Sequence, residues 1–393
     1  MKVAVIKERR AHERRVAASP DTVKRMVGMG LNLIVESGAG VGACIADAAF
    51  AAAGASIVSD PDAALGDADI VLKVQRPLLE GEGGVDELKY LRPGSVLIGL
   101  LQPAQNPSDV VAYARAGISA FAMELLPRIT RAQAMDVLSS QANLAGYKAV
   151  IDAAAEFGRA FPMMMTAAGT IKAARVLVMG AGVAGLQAIA TARRLGAIVA
   201  ATDVRAAAKE QVESLGATFI TVDEPAAGSA ETAEGYAREM GDDYQRRQRE
   251  KITEALRRTD IVICTALIPG RKAPVLLTET MVGELVPGSV VVDLAVEAGG
   301  NVEGSRPNEV AATLNGVKIL AYLNVPSRIA VDASQLYARN LLSFLGLLID
   351  KDHRLKIDAT DEIISATLLT ENGAVVHPAL RPAAMAEAAA PNS

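Results

Sequence analysis

The sequence contains no tryptophan, and aromatic residues fill 3% of its 393 positions. A surface that stacks nucleobases needs aromatic platforms, so their scarcity argues against nucleic acid. The charge agrees: the net value is −5, and no block of Lys and Arg stands out. Cysteine is nearly absent too. Cys44 and Cys264 lie far apart, which argues against a disulfide framework. With three histidines (His12, His353 and His377), no metal-ligand spacing forms, and no metal is expected. No apolar run reaches the roughly 18–20 residues of a membrane span; the densest stretch is Leu341–Ile349. The opening Val3-Ala4-Val5-Ile6 reads as a strand rather than a signal peptide. These absences predict a soluble, cytoplasmic chain with no direct membrane insertion. Alanine inflates the hydrophobic share of 51%, and the length suggests two or three domains.

The histidines bear on the chemistry as well. His12 and His377 fall in predicted loops, and His353 follows a helix in a charged run. None has the strand or glycine context that would make it a general base. Oxidation of an alcohol or amine needs a group that takes the proton from O–H or N–H. Hydride passage between two nicotinamides breaks only C–H bonds, and it needs positioning instead.

What is present begins at Gly180-Ala181-Gly182-Val183-Ala184-Gly185, directly behind the apolar run Arg175–Met179. A helix is predicted from Val183 to about Leu195, then a strand Ile198–Thr202 with Asp203 at its end. This is the strand, glycine turn, helix start and distal carboxylate of a dinucleotide site. Gly180 permits the tight turn, Gly182 lets backbone approach the pyrophosphate, and Gly185 lets helix and strand pack closely. The helix N-terminus offers N–H groups and a positive dipole end to the phosphates. Asp203 can bond both ribose hydroxyls of the adenosine, which favours NAD. Arg205, two residues on, could instead accommodate a 2′-phosphate.

A faint internal repeat predicts the architecture. Asp69-Ile70-Val71 precedes Leu91-Arg92-Pro93-Gly94-Ser95-Val96, and Asp260-Ile261-Val262 precedes Leu285-Val286-Pro287-Gly288-Ser289-Val290. Each block reads as buried strand, crossover, turn and buried strand. Apolar strands alternating with helices form parallel sheets covered on both faces. The prediction is an α/β protein with two doubly wound, Rossmann-like domains joined by long helices. The first copy has strands near Val3–Ile6, Leu31–Val35, Ile70–Val74, Val96–Leu100 and Ile118–Phe121, and a helix opening at Ser19-Pro20. It lacks the glycine fingerprint behind its first strand.

Long helices are expected over Ala132–Phe157 and Val331–Ile349, the second returning the chain to the first domain. The predicted boundaries are therefore 1–138 with 330–393 for the first domain, and 139–329 for the nucleotide-binding one. Nearly forty residues separate the strands Phe219–Val222 and Ile261–Cys264, where a crossover needs about a dozen. The excess, about 223–243, is small and polar around Gly235-Tyr236, and it reads as a mobile lid or as dispensable surface. A charged helix, Tyr244–Arg258, follows. The tail Ala383–Ser393 is rich in Ala and Pro and is expected to lack fixed structure.

Two further clusters could act on a ligand. Arg128, Gln133 and Asp136 lie just before the first long helix, at the predicted domain junction, where ligands tend to sit. The alternative is a helix start with a solvated charge pair. Arg14, Arg15 and Lys73 form the other cluster. Lys73 ends a buried strand, where it could fix a carboxylate or carboxamide, or simply snorkel.

The chain resembles the NAD(H)-binding component, domain I, of proton-translocating nicotinamide nucleotide transhydrogenase. The likeness runs from Lys2-Val3 to His377-Pro378-Ala379-Leu380. Its motifs include Lys7-Glu8-Arg9-Arg10, Lys73-Val74-Gln75-Arg76-Pro77, Ala122-Met123-Glu124, Arg128–Asp136 with Ser139-Ser140-Gln141, and Gly180–Gly185. Thr202–Ala206, Gly235-Tyr236-Ala237, Thr265–Gly270 and Val292–Asn301 complete them.

The resemblance implies nicotinamide-orienting roles for Arg128, Gln133, Asp136 and Ser139, and a mobile-loop role for Tyr236. It implies NAD(H) contacts from Gly180, Gly182, Val183, Ala184, Gly185, Asp203, Val204, Arg205, Ala266 and Leu267. It further implies a homodimer working with two partners, a proton-carrying membrane subunit and an NADP(H)-binding subunit, so the chain would be peripheral to the inner membrane.

The family's pattern is broken at Leu100-Leu101-Gln102-Pro103-Ala104-Gln105, where a more conventional apolar–Gly turn is expected. Alanine dehydrogenase shares the two-domain plan, and Arg15 and Lys73 match its substrate-carboxylate residues. Its catalytic His would fall near Leu100–Leu101, where this chain has none. A stand-alone amino-acid dehydrogenase is therefore the weaker alternative.

Overall fold

The computed structural model describes residues 1–221, 242–268 and 271–381. The chain divides into two units: Met1–Gln141 with the segment from Ser327 onward, and Ala142–Pro326. Each is built on one mainly parallel sheet with helices against both faces.

In the first unit, the strand Lys2–Val5 lies at the centre. Asn32–Glu36 and Ser56–Val58 flank it on one side, and Ile70–Gln75, Val96–Leu100 and Ser119–Ala122 on the other. Leu368–Glu371 adds an antiparallel strand to Ser119–Ala122 and turns into Ala374–Val375. The second unit repeats the order around Arg175–Met179. Ile198–Thr202 and Thr218–Phe219 lie on one side, and Ile261–Cys264, Val290–Asp293 and Lys318–Leu320 on the other, with an antiparallel Val310–Ala312 at the edge.

Side chains alternate across each sheet. Val3, Val5, Leu72 and Ile98 face a core shared with Tyr337, Leu341 and Phe344 of the helix Ala330–Leu348. Ala4, Val71 and Leu97 face the opposite core, with Val110 and Tyr113. Burial on both faces is why these strands read as continuous apolar runs.

The repeat is structural down to single hydrogen bonds. Asp69 accepts the amide of Lys2, the first residue of the first strand, at 2.7 Å. Asp260 accepts the amide of Arg175, its counterpart in the second unit, at 2.8 Å. Gly94 donates to Gly117 at 2.8 Å, and Gly288 to Gly316 at 3.1 Å.

Two helices bear on the expected boundaries. Ser19 caps Pro20–Gly28 as predicted, with Thr22 completing a capping box. The long helix, however, spans Val137–Glu156 and is preceded by a separate 3₁₀ segment, Thr130–Met135. Its start is set by Asp136, whose carboxylate accepts the amide of Ser139 at 2.9 Å. The charged helix runs Asp242–Leu256. Most of the predicted 223–243 segment and the tail lie outside the described residues. No helix among the described residues is long and apolar enough to cross a membrane.

Candidate functional site

In the second unit the strand order reverses between Arg175–Met179 and Ile261–Cys264, and open α/β sheets bind ligands at such a switch point. Gly180 turns the chain with φ of +102°. A Cβ on Gly185 would meet the carbonyl oxygen of Gly180 at 1.8 Å, so only glycine lets the helix Val183–Arg194 seat here. A Cβ on Gly182 would meet nothing within 4 Å, so the space in front of the helix is open. No side chain caps the helix at Gly182, which leaves its N-terminus to attract an anion. These features fit a dinucleotide pyrophosphate.

Asp203 stands one residue past the neighbouring strand. Burial would raise its carboxyl pKa, but Arg205 and the amides of Ala181 and Arg205 outweigh it and hold it below the usual range. The carboxylate is thus ionised, with both oxygens acting as acceptors. Val204 and Arg205 share its turn and are partly buried.

Ala266 and Leu267 follow the strand Ile261–Cys264, on the other side of the switch point. The Thr265 hydroxyl donates to the Gly180 carbonyl at 2.9 Å, tying this segment to the glycine turn. Asn301, fully buried, accepts the Ala266 amide at 3.0 Å and donates to its carbonyl at 2.9 Å. Asp293, also fully buried, accepts the Asn301 amide at 3.0 Å. Both backbone polar groups of Ala266 are therefore committed internally, and Leu267, about half exposed, presents the apolar surface. Sequence reasoning misses Asn301 as a site residue, because it lies 35 residues from Ala266 along the chain.

In the first unit, Arg128 and Gln133 are exposed, and Asp136 and Ser139 are half-buried. The structure joins Asp136 and Ser139 directly: the carboxylate accepts the Ser139 hydroxyl as well as its amide. Gln133 sits on the 3₁₀ segment and Arg128 on the loop before it. Tyr236 lies outside the described residues.

The Arg15–Lys73 cluster is a buried ionic network. Arg15 pairs with Glu13 at 2.7 Å and 2.9 Å and donates to Gln141 at 2.9 Å. Lys73 lies between Glu87 at 2.9 Å and Glu8 at 3.4 Å. Glu8 also accepts the Val74 amide at 2.6 Å. A carboxylate follows the first strand here, where the second unit has its glycine turn, which is why the first sheet has no phosphate cradle. Arg15 is 3% exposed and Lys73 2%, so Lys73 does not snorkel to solvent.

The loop after Val96–Leu100 turns at Gln102, whose φ is +50°. Glu124 holds it by accepting the amides of Leu101, at 3.3 Å, and Gln102. Burial pushes the Glu124 carboxyl up to about 7 despite these bonds.

Two family models match the chain: Alanine dehydrogenase/PNT, N-terminal domain, over residues 4–145, and Alanine dehydrogenase/PNT, C-terminal domain, over 149–378. The chain belongs to this family. It is 59% identical over 381 residues to the first of the separately named portions of NAD(P) transhydrogenase subunit alpha in Rhodospirillum rubrum, covering 97% of this chain and 99% of that one. The corresponding Rickettsia prowazekii protein is 44% identical over 381 residues, covering 97% of each. Alanine dehydrogenase of Halomonas elongata is 31% identical over 387 residues, covering 97% of this chain and 96% of that one.

Among solved structures, the transhydrogenase from Sinorhizobium meliloti superposes with a TM-score of 0.86 at 51% identity, over 96% of this chain and all of that one. An L-alanine dehydrogenase gives 0.81 at 25% identity, over 99% of this chain and all of that one. The two branches share the fold. Identity groups this family member with the transhydrogenase alpha subunits, as an oxidoreductase with a Rossmann-like nucleotide-binding unit.

Proposed function

We propose that this chain is the NAD(H)-binding component of a proton-translocating transhydrogenase. It presents NADH for direct hydride transfer to NADP⁺ held on a partner subunit, coupled to proton movement through a separate membrane subunit. The observation that carries this reading is the open, uncapped helix N-terminus behind the glycine turn, with ionised Asp203 beside it. When bound, NADH supplies the hydride.

The protein's own role is positioning. Gly182, Val183, Ala184 and Gly185 hold the pyrophosphate with backbone N–H groups, and Gly180, whose own amide donates to the Thr202 carbonyl at 2.9 Å, supplies the turn. Asp203, with Val204 and Arg205 on its turn, receives the adenosine ribose. Ala266 and Leu267 line the switch point with apolar surface. Arg128, Gln133, Asp136 and Ser139 fix the nicotinamide and its carboxamide, and Tyr236 completes the set. No general base is required, which agrees with the loop after Leu100 carrying Gln102 and no histidine.

The chain works as a homodimer at the membrane surface, held there by its partners. Supporting the dimer is an isolated two-stranded hairpin, Met164–Thr166 with Gly169–Ile171, exposed along its whole length. Two-stranded hairpins are marginal alone in water, and Met163 at 63% and Met165 at 80% exposure are typical of a surface covered by a partner.

The test is to mix the purified chain with the membrane and NADP(H)-binding subunits and follow NADPH formation from NADH. Turnover only in the mixture supports the reading. NADH formation by the chain alone on adding L-alanine and NAD⁺ would favour the dehydrogenase alternative instead.

A further inference from the structure

Asn340 lies in the middle of the helix Ala330–Leu348, among residues that line the first unit's core, such as Tyr337 and Leu341. It is 8% exposed. Asparagine is a poor helix former, and a buried carboxamide is costly unless it is hydrogen-bonded. Here both of its ends are used. Nδ2 donates to the carbonyl of Ala134 at 2.9 Å, and Oδ1 accepts the hydroxyl of Ser140 at 2.8 Å. A carbonyl can only accept, so Ala134 fixes which way the amide points. The Ser140 hydroxyl has one proton, and Asn340 is its nearer acceptor, with the Val137 carbonyl at 3.1 Å.

The two anchor points lie on opposite sides of a break in the backbone. Ala134 belongs to the 3₁₀ segment Thr130–Met135, and Ser140 to the first turn of the helix Val137–Glu156. Asp136 joins them in an extended conformation. Three of the residues proposed to orient the nicotinamide sit here: Gln133 beside Ala134, Asp136 at the break, and Ser139 beside Ser140. Ala132 and Met135 hold the segment against the core, but apolar contact is not directional. Hydrogen bonds are, and the Asn340 carboxamide spans the break with two of them.

We infer that Asn340 is a positioning residue for hydride transfer. By tying Ala134 to Ser140 it fixes the angle between the 3₁₀ segment and the helix, and so the spacing of Gln133, Asp136 and Ser139 around the nicotinamide. It acts through these residues, from 200 positions away along the chain. This rests on the transhydrogenase reading above and deepens it.

The experiment uses the full chain assembled with its membrane and NADP(H)-binding subunits and loaded with NADP⁺. NADH is added, and a rapid-quench assay follows the single turnover that forms NADPH. The unaltered protein is compared with Asn340→Leu, which removes both bonds at similar volume, with Ser140→Ala, which removes one, and with Ser140→Thr, which restores the hydroxyl. Misplaced reactants lower a rate constant, whereas a partly folded preparation lowers only the amplitude. Asn340→Leu should lower the rate constant at least about tenfold, and Ser140→Ala should lower it less. Ser140→Thr should recover most of that loss. Fluorescence titration of each chain alone should give an NADH affinity within about threefold of the unaltered value, because the contacts proposed in the second unit are untouched.

The inference is overturned if Asn340→Leu changes only the amplitude, if its rate constant is unchanged, or if NADH affinity falls as far as the rate. Should Asn340→Leu not fold, the Ser140 pair decides: equal rate constants for Ser140→Ala and Ser140→Thr contradict the proposal. An unaltered assembly that forms no NADPH rejects the transhydrogenase reading, and this inference with it.

Discussion

Asp136 caps a helix, and the proposed function gives it a second role that different substitutions separate from the first. As the cap of Val137–Glu156 it needs only an acceptor oxygen; in the proposed nicotinamide-orienting role it needs its charge and geometry. Asp136→Asn should keep stability in urea denaturation while lowering transhydrogenation by roughly 100-fold. Asp136→Ala should lose the activity and also about 1 kcal/mol of stability. Glu124 predicts a pH dependence. Its folded pKa of about 7 lies above the unfolded value near 4.5, so its protonated form stabilises the fold fully below about pH 4.5. That contribution, of order 3 kcal/mol, is lost as pH rises toward 7. Denaturation of the unaltered protein should show this decline between pH 5 and pH 8, and Glu124→Gln should flatten it. An equal slope in both proteins would assign the decline to other groups; burial also raises Glu8.

At the scale of elements, the glycine turn is the most constrained piece. Gly185→Ala places a methyl 1.8 Å from the Gly180 carbonyl, so the helix Val183–Arg194 must shift. The expected cost is about 1–3 kcal/mol, with NADH binding lost in a fluorescence titration. This turn is readable in the sequence because its requirements are local: an apolar strand, three glycines and a carboxylate at fixed spacing. The central strands are readable because burial on both faces leaves continuous apolar runs. The start of the long helix is not. Ala132, Ala134 and Met135 continue its helical composition backwards, and only the Asp136–Ser139 hydrogen bonds mark the break. The antiparallel strands Val310–Ala312 and Leu368–Glu371 are too short to show a period. The Glu8–Lys73 pair and the Asn301–Ala266 bonds join residues far apart in the chain, so spacing cannot reveal them.

For the whole molecule, one sheet plan is used twice with opposite outcomes. The second copy leaves its switch point open behind a glycine turn, and the first carries a buried Glu8, Lys73 and Glu87 there. The exposed hairpin Met164–Ile171 bears on the proposed dimer. Met165→Glu should shift sedimentation velocity from dimer toward monomer, while far-ultraviolet dichroism stays constant because Met165 is exposed. The central claim is that hydride leaves NADH for NADP⁺ on another subunit with no titrating side chain in its path. It is tested most directly by supplying NADH deuterated at C4 to the chain assembled with its membrane and NADP(H)-binding subunits. The account predicts deuterium at C4 of the NADPH formed, with none washed out into solvent. Label appearing in water, or in alanine when pyruvate and ammonia are supplied to the chain alone, would contradict it.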